Sequence, residues 1–403
     1  MISGDKFAIY IGDCLESMRA MPAESVHCCV TSPPYFGLRD YGADGQIGLE
    51  PTPDEFVQTL VTVFREVRRV LRDDGTLWLN LGDSYSRPPA KGGSGPGGKN
   101  IAYSDSYTAA NSRRSAGSNV GQRAGQLKQR FDTGLADKQL LGIPWRVAFA
   151  LQADGWYLRQ DIIWHKPNVM PESVRDRCTK AHEYVFLLSK SPRYYFDHEA
   201  IKEPAVCDRK PGRNVKETQH YGAGNGGNSG LTGLLQRYHT GDAPTTRNKR
   251  SVWTVPPKPY RGAHFATFPP ELIEPCVLAG CPVGGTVLDP FGGSGTTAGV
   301  ALANDRRAIL CELNPSYAAL MPGRISDILK RAGKPALEKA EMVYYTPYAP
   351  DSTGRPMPTA SSEPLGLDDL GTAISMMGEH FTQRSERTVV YPDFVLTDWV
   401  LSI

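Results

Sequence analysis

The sequence predicts an α/β fold, a parallel sheet with helices on both faces. Three observations lead there. Apolar residues make up 40% and charged residues 22% of the 403 positions, the proportions of a globular chain with a sizeable core. Short continuous apolar runs recur, as in strands buried on both faces rather than half exposed. Between them lie segments of three- and four-residue apolar period, and a strand–helix–strand order favours parallel pairing.

The elements follow in order. Residues 7–12 (FAIYIG) and 26–31 (VHCCVT) read as strands, with one or two helical turns over Asp13–Met18 between them. Residues 53–72 form the clearest helix: Phe56, Leu60, Val63, Phe64, Val67, Val70 and Leu71 share one face, and Asp54 and Glu55 suit its N-terminal end. This helix is expected to stop at Asp73-Asp74-Gly75, with Thr76–Leu81 the next strand. A Gly/Ser/Asn-rich stretch over 86–136 is expected to be disordered or ordered by substrate. A helix over Pro144–Leu151 and strands over Trp156–His165 and Glu183–Ser189 come next. After a second Gly/Asn-rich stretch, 202–250, come a helix over Glu271–Leu278, a strand over Thr286–Asp289, a Gly-rich turn, a helix over about 296–304 and a strand over Ala308–Cys311. Beyond about 335 the chain reads as an extended tail, with Val389–Val400 apolar enough to dock as a strand.

Charge is unevenly placed. The net charge is +2, yet residues 86–136 carry +6 and residues 202–250 carry +5, leaving an acidic body of −9. Two basic segments on such a body suit contact with phosphates, although solvated basic loops give the same pattern. The eight cysteines form no Cys-x-x-Cys pair and no zinc spacing, so free buried thiols are expected. Asp5, Asp13 and Glu16 stand where a signal peptide needs a basic start and an apolar core, and no run of 18 apolar residues occurs. A cytoplasmic chain with no membrane span is the expectation.

Two segments carry the chemistry. Leu288-Asp289-Pro290-Phe291-Gly292-Gly293-Ser294-Gly295-Thr296-Thr297 places an acidic residue at a strand end, then a small-residue turn into a helix. Glu312 ends the next strand 23 residues after Asp289, where a Rossmann-like fold puts the carboxylate that binds ribose hydroxyls. A phosphate-cradling loop would need Lys after Gly295, where Thr296 stands. The other segment, Thr31-Ser32-Pro33-Pro34-Tyr35, follows a strand, and its paired prolines make a rigid loop. Such a loop suits an aromatic amine, whose lone pair is delocalised into its ring. Acceptors on both N–H groups, Ser32 Oγ and the Pro33 carbonyl, favour a more nucleophilic nitrogen, and Tyr35 offers a face to a base taken out of a duplex.

Ser-Pro-Pro-Tyr after a strand, together with Asp-Pro-Phe-x-Gly-Ser-Gly-Thr-Thr, resembles the amino-directed DNA methyltransferases, with the catalytic loop first and the cofactor loop last as in their β class. The resemblance covers most of 7–85 and 140–330. It implies a Rossmann-like methyltransferase sheet in circularly permuted motif order, S-adenosyl-L-methionine as cofactor and duplex DNA as substrate. Asp13, in Gly12-Asp13-Cys14-Leu15, is implied to touch the cofactor adenine. Phe268 lies in the segment His264–Pro269 that leads into the cofactor helix. Asp289, Phe291, Gly293, Ser294, Gly295 and Thr296 are implied to line the methionine and sugar side, and Glu312 to hold the ribose. The blocks Asp161–Asn168 and His182–Phe186 are similar to those flanking the target-base pocket.

On this basis the chain divides into a catalytic half (1–85), a basic insertion (86–137), further catalytic strands and a helix (138–200), a target-recognition region (201–252), a cofactor-binding half (253–335) and a C-terminal extension (336–403). Arg247, Lys249 and Arg250 are the candidate DNA contacts. Ser32 stands where adenine-N6 enzymes carry Asp or Asn, which favours cytosine N4 over the alternative, adenine N6. A 5-methylcytosine enzyme needs a Cys after Pro in a loop, whereas Pro275-Cys276 sits in an expected helix. An inactive DNA-binding module with the same fold is a remoter alternative. The resemblance also implies a homodimer and a cognate restriction endonuclease as partners.

Overall fold

A computed structural model describes residues 7–43, 45–86, 133–205, 245–258 and 267–335, with the pairs 343–344 and 400–401. Its centre is a sheet whose strands lie in the order β11-β1-β10-β9-β2-β3-β5-β4-β8. These are β1 (Phe7–Ile11), β2 (Val26–Thr31), β3 (Leu71–Leu81), β4 (Tyr157–His165), β5 (His182–Ser189), β8 (Val252–Thr254), β9 (Thr286–Asp289), β10 (Arg307–Glu312) and β11 (Val343–Tyr344). The strand pair β12 (Val400–Leu401) also adds to β1, antiparallel. Of the strand expected over 389–400, only Val400 lies within the described residues. A separate ribbon pairs β6 (Glu203–Pro204) with β7 (Thr246–Arg247).

Helices cover both faces, as the sequence predicts. Helices α1 (Cys14–Ala20), α2 (Pro53–Val70) and α3 (Ile143–Ala153) pack into one apolar cluster; α4 (Pro270–Gly280), α5 (Thr296–Ala303) and α7 (Met321–Arg331) pack into the other. A short α6 (Pro315–Ala318) precedes α7. Helix α2 shows why these segments fold. Thr52 accepts from the Glu55 N–H at 3.2 Å and donates to its carboxylate at 3.0 Å, a closed N-terminal cap. Phe56, Leu60, Val63, Phe64, Val67 and Val70 are then fully buried, each contributing about 1.5–3 kcal/mol of transfer free energy.

Three features depart from the sequence reading. First, β3 runs straight on from α2 at Leu71, so Asp73-Asp74-Gly75 is not a break between elements. Val26 pairs with Leu71 and Cys28 with Thr76, so the acidic residues bulge out of the ladder with their side chains in solvent. Segment 190–195 satisfies this stretch: the Lys190 N–H donates to Gly75 O at 3.2 Å and the Tyr195 N–H to Asp74 O at 2.9 Å. Second, β5 runs antiparallel to both neighbours, β3 and β4, so the sheet is mixed. Third, β8 and α7 were not anticipated. Strand β8 has only three residues, but Met321, Ile325, Ile328 and Leu329 in α7 form a helical stripe that is legible in the sequence.

β1 pairs with β10, which places the first strand beside the cofactor segment rather than beside the Pro-Pro loop. Residues 87–132 of the basic insertion and 206–244 of the second basic segment lie outside the described residues. No helix among the described residues is long and apolar enough to cross a membrane.

Candidate active site

The carboxyl ends of parallel strands gather chain turns at one edge of the sheet, and that is where the site lies. Gly12 and Asp13 follow β1, Ser32–Tyr35 follow β2, Asn80 lies near the end of β3, Trp164 and Lys166 lie at the end of β4, Asp289–Ser294 run from the end of β9, and Glu312 ends β10. All of them line one cavity of about 220 Å3. The reversal of β5 brings its first residues to this same edge, so Glu183, paired with Trp164, joins the site.

The cofactor segment is held from within. Thr31 and Thr297 hydroxyls each donate to Asp289 at 2.6 Å, one to each carboxylate oxygen, and the Phe291 N–H donates at 3.1 Å. Asp289 thereby ties β2, β9 and α5 together. Burial pushes its carboxyl up to about 6 against the pull of Thr297, Thr31 and the Phe291 N–H. Glu312 accepts the Gly293 and Asn314 N–H groups, one on each oxygen, both at 2.8 Å. Its carboxyl is raised to about 7, again by burial first. Asp13 Oδ1 caps α1, accepting from the Leu15 and Glu16 N–H groups at 2.8 and 3.1 Å. Phe268, Phe291, Gly293, Ser294 and Thr296 all line the cavity. Gly295 does not. It has φ of 83° at the head of α5, and a Cβ there would lie 3.1 Å from Met321 Cβ, so it serves the turn and helix packing.

The Pro-Pro loop forms the opposite wall. The Tyr35 hydroxyl donates to Glu183 Oε2 at 2.9 Å and lies 3.3 Å from Asn80 Oδ1. Burial, and then the Glu183 carboxylate, hold this phenol well above its usual range, so it remains a donor. Gly82 makes room for the ring: a Cβ there would stand 2.5 Å from Tyr35 Cε2. Glu183 Oε1 accepts from the Lys166 ammonium, which lies 4.0 Å from the Trp164 ring centroid. Asn80 Nδ2 donates to the Tyr184 carbonyl at 3.0 Å. Asn80, Lys166 and Glu183 are site residues that sequence reasoning did not single out; the blocks holding the last two were recognised only as flanking a base pocket.

The basic candidates lie elsewhere. Arg247 and Arg250 both donate to Glu203 Oε1, at 2.8 and 2.6 Å, and Lys249 lies 5.1 Å from the Trp253 ring centroid. None of the three lines the cavity. Cys276 is fully buried inside α4 and burial raises its thiol, so it offers no nucleophile.

The profile of the N6/N4 methylase family, described as DNA methylase, matches residues 26–321. The chain is 45% identical over 317 residues to the Type II methyltransferase M.Cfr9I of Citrobacter freundii, spanning 79% of this chain and 87% of that protein. It is also 45% identical over 317 residues to the Type II methyltransferase M.SmaI of Serratia marcescens, spanning 79% and 90%. Among solved structures, a DNA modification methylase of Thermus thermophilus complexed with S-adenosyl-L-methionine covers 80% of this chain and 94% of its own, at 24% identity and a TM-score of 0.45. The resemblance drawn from the two motifs is thus borne out, and the chain belongs to the N6/N4 family of S-adenosyl-L-methionine-dependent DNA methyltransferases of the Type II restriction–modification kind.

Proposed function

We propose that the enzyme methylates the exocyclic N4 of cytosine in duplex DNA, with the base extruded into the cleft. Ser32 carries this reading. It heads the Pro-Pro-Tyr loop at the cavity wall, where the adenine-N6 enzymes that the sequence resembles carry Asp or Asn.

The residues present suit the cofactor. Thr267 Oγ1 at the cavity wall is buried and has no hydrogen-bond partner among the described residues, so it is available to a polar ligand. Glu312 spends one lone pair of each oxygen on a backbone N–H and keeps acceptor capacity for ribose hydroxyls. Asp13, Phe268, Asp289, Phe291, Gly293, Ser294 and Thr296 complete the wall that would hold the molecule, with Gly295 shaping the turn from behind. When bound, S-adenosyl-L-methionine supplies an electrophilic methyl group. The chain's own part is to present the amine. Ser32 Oγ and the Pro33 carbonyl accept its two N–H bonds, which directs the nitrogen lone pair away from the ring system. Tyr35, its hydroxyl fixed by Glu183, offers a ring face to the base.

On this reading residues 201–252 recognise the target and Arg247, Lys249 and Arg250 meet its phosphates, a role supported by the +5 charge of 202–250. The family resemblance adds the expectation of a homodimer and a cognate restriction endonuclease in the cytoplasm. The test is to digest DNA modified by the purified enzyme to nucleosides and analyse them by mass spectrometry. We expect 4-methylcytosine; 6-methyladenine alone would reverse the assignment.

A further inference from the structure

The wall opposite the cofactor segment holds a cation that the mechanism above leaves without a task. Lys166 and Glu183 side chains are each only 18% exposed, and both line the cavity beside Ser32–Tyr35. An ammonium has three N–H donors. Among the described residues its one hydrogen-bond acceptor is Glu183 Oε1, and the Trp164 ring 4.0 Å away takes part of its charge. Donor capacity therefore remains at the edge of the pocket.

Its neighbours have none to spare. Asn80 Nδ2 points to the Tyr184 carbonyl at 3.0 Å and to Glu183 Oε2 at 3.4 Å, while its Oδ1 lies 3.3 Å from the Tyr35 hydroxyl. The Tyr35 hydroxyl spends its proton on Glu183. The Ser32 hydroxyl turns its own proton to the Tyr35 oxygen, so its Oγ, like the Pro33 carbonyl, acts as an acceptor towards the amine. An aminated base, however, presents an acceptor directly beside that amine: N3 in cytosine, N1 in adenine. Left unpaired against the pocket wall, that nitrogen would cost binding free energy.

We infer that Lys166 reads the extruded base, its ammonium donating to the ring nitrogen next to the reacting amino group. Glu183 positions it and offsets its charge, so that the ring nitrogen meets a donor without a full unbalanced cation drawing density from the amine. Trp164 limits the ammonium's sideways movement. The same carboxylate holds Tyr35 through its other oxygen, so Glu183 couples the ring face offered to the base with the donor offered to its edge. This inference rests on the cleft being the methyl-transfer site, but it holds for cytosine and adenine alike.

The experiment compares kcat/KM for a duplex carrying the natural target with one carrying 3-deazacytosine, which lacks the ring nitrogen (1-deazaadenine if the product is 6-methyladenine). Wild type, Lys166→Met and Lys166→Gln are each assayed on both duplexes. Because each ratio comes from one preparation, any unfolded fraction cancels, and so does the altered reactivity of the analogue. Wild type should prefer the natural base by about 10- to 100-fold more than Lys166→Met does, the range of a charge-assisted hydrogen bond. Lys166→Gln, which keeps a neutral donor, should fall between, and it supplies the ratio if the Met variant is inactive. Equal ratios for wild type and variants would overturn the role of Lys166. Failure of wild type to methylate the natural duplex would instead overturn the reading of the cleft.

Discussion

The two walls of the cleft use carboxylates in opposite ways. On the cofactor side, Asp289 and Glu312 accept, among the described residues, only from hydroxyls and backbone N–H groups, local dipoles that oppose the effect of burial. On the base side, Glu183 is shared between a phenol and an ammonium that themselves face the cavity. Under the proposed function, the first arrangement fixes a shape into which a cofactor fits. The second orients groups that act on a substrate. A carboxylate satisfied from within is a framework element; one satisfied by working side chains aligns them.

The largest expected effect breaks the base side and spares the other. Ser32→Ala removes one of the two acceptors for the amine, and loss of one well-placed hydrogen bond to a developing charge costs about 10²–10³-fold in rate. We expect that fall in single-turnover methyl transfer, with cofactor affinity by calorimetry unchanged because the Asp289 and Glu312 contacts do not involve Ser32. A parallel loss of cofactor binding would mean that the walls are not separable.

The next effect belongs to the cofactor side. Glu312 has an ordinary carboxyl value of 4.5 that burial raises to about 7 in the folded chain. Between those values the folded protein holds a proton that the unfolded chain has released. The stability this group contributes is therefore fully present below about pH 4.5 and is lost as pH rises through 7. Glu312→Gln lacks this dependence. In cofactor-free protein, the unfolding free energy of wild type minus that of the variant should fall with rising pH, by up to about 1.4 kcal/mol per pH unit. Urea titrations at several pH values measure it, and a flat difference would show that the carboxyl is not held in this way.

How much could be read from sequence follows the same division. Asp289, the glycine turn and Glu312 lie within one strand–turn–helix–strand unit, so spacing along the chain reveals their geometry. Asn80, Lys166 and Glu183 come from β3, the end of β4 and β5, and Glu183 reaches Tyr35 only because β5 runs backwards, a reversal that no local pattern encodes. The Asp73-Asp74-Gly75 bulge misled for a related reason: turn residues within a strand are tolerated when a distant segment, here 190–195, satisfies their backbone. Helix α7 is different. Its stripe of Met321, Ile325, Ile328 and Leu329 was present to be read.

The smallest expected effect extends the comparison outward to the root of the proposed target-recognition region. By sequence Arg247, Lys249 and Arg250 are equivalent cations, but one Glu203 oxygen accepts from both arginines, while Lys249 rests near Trp253. A charge already neutralised by a carboxylate releases fewer counterions when it meets a phosphate, because DNA must first displace its partner. Lys249→Ala should therefore lower the slope of log K against log salt by about 0.9, as for one lost phosphate contact, and Arg250→Ala by clearly less. Fluorescence anisotropy across a salt series measures both slopes. If Arg250→Ala flattens the slope as much as Lys249→Ala, DNA takes the arginines away from Glu203, and that carboxylate is a resting partner displaced on binding rather than a fixed part of the root.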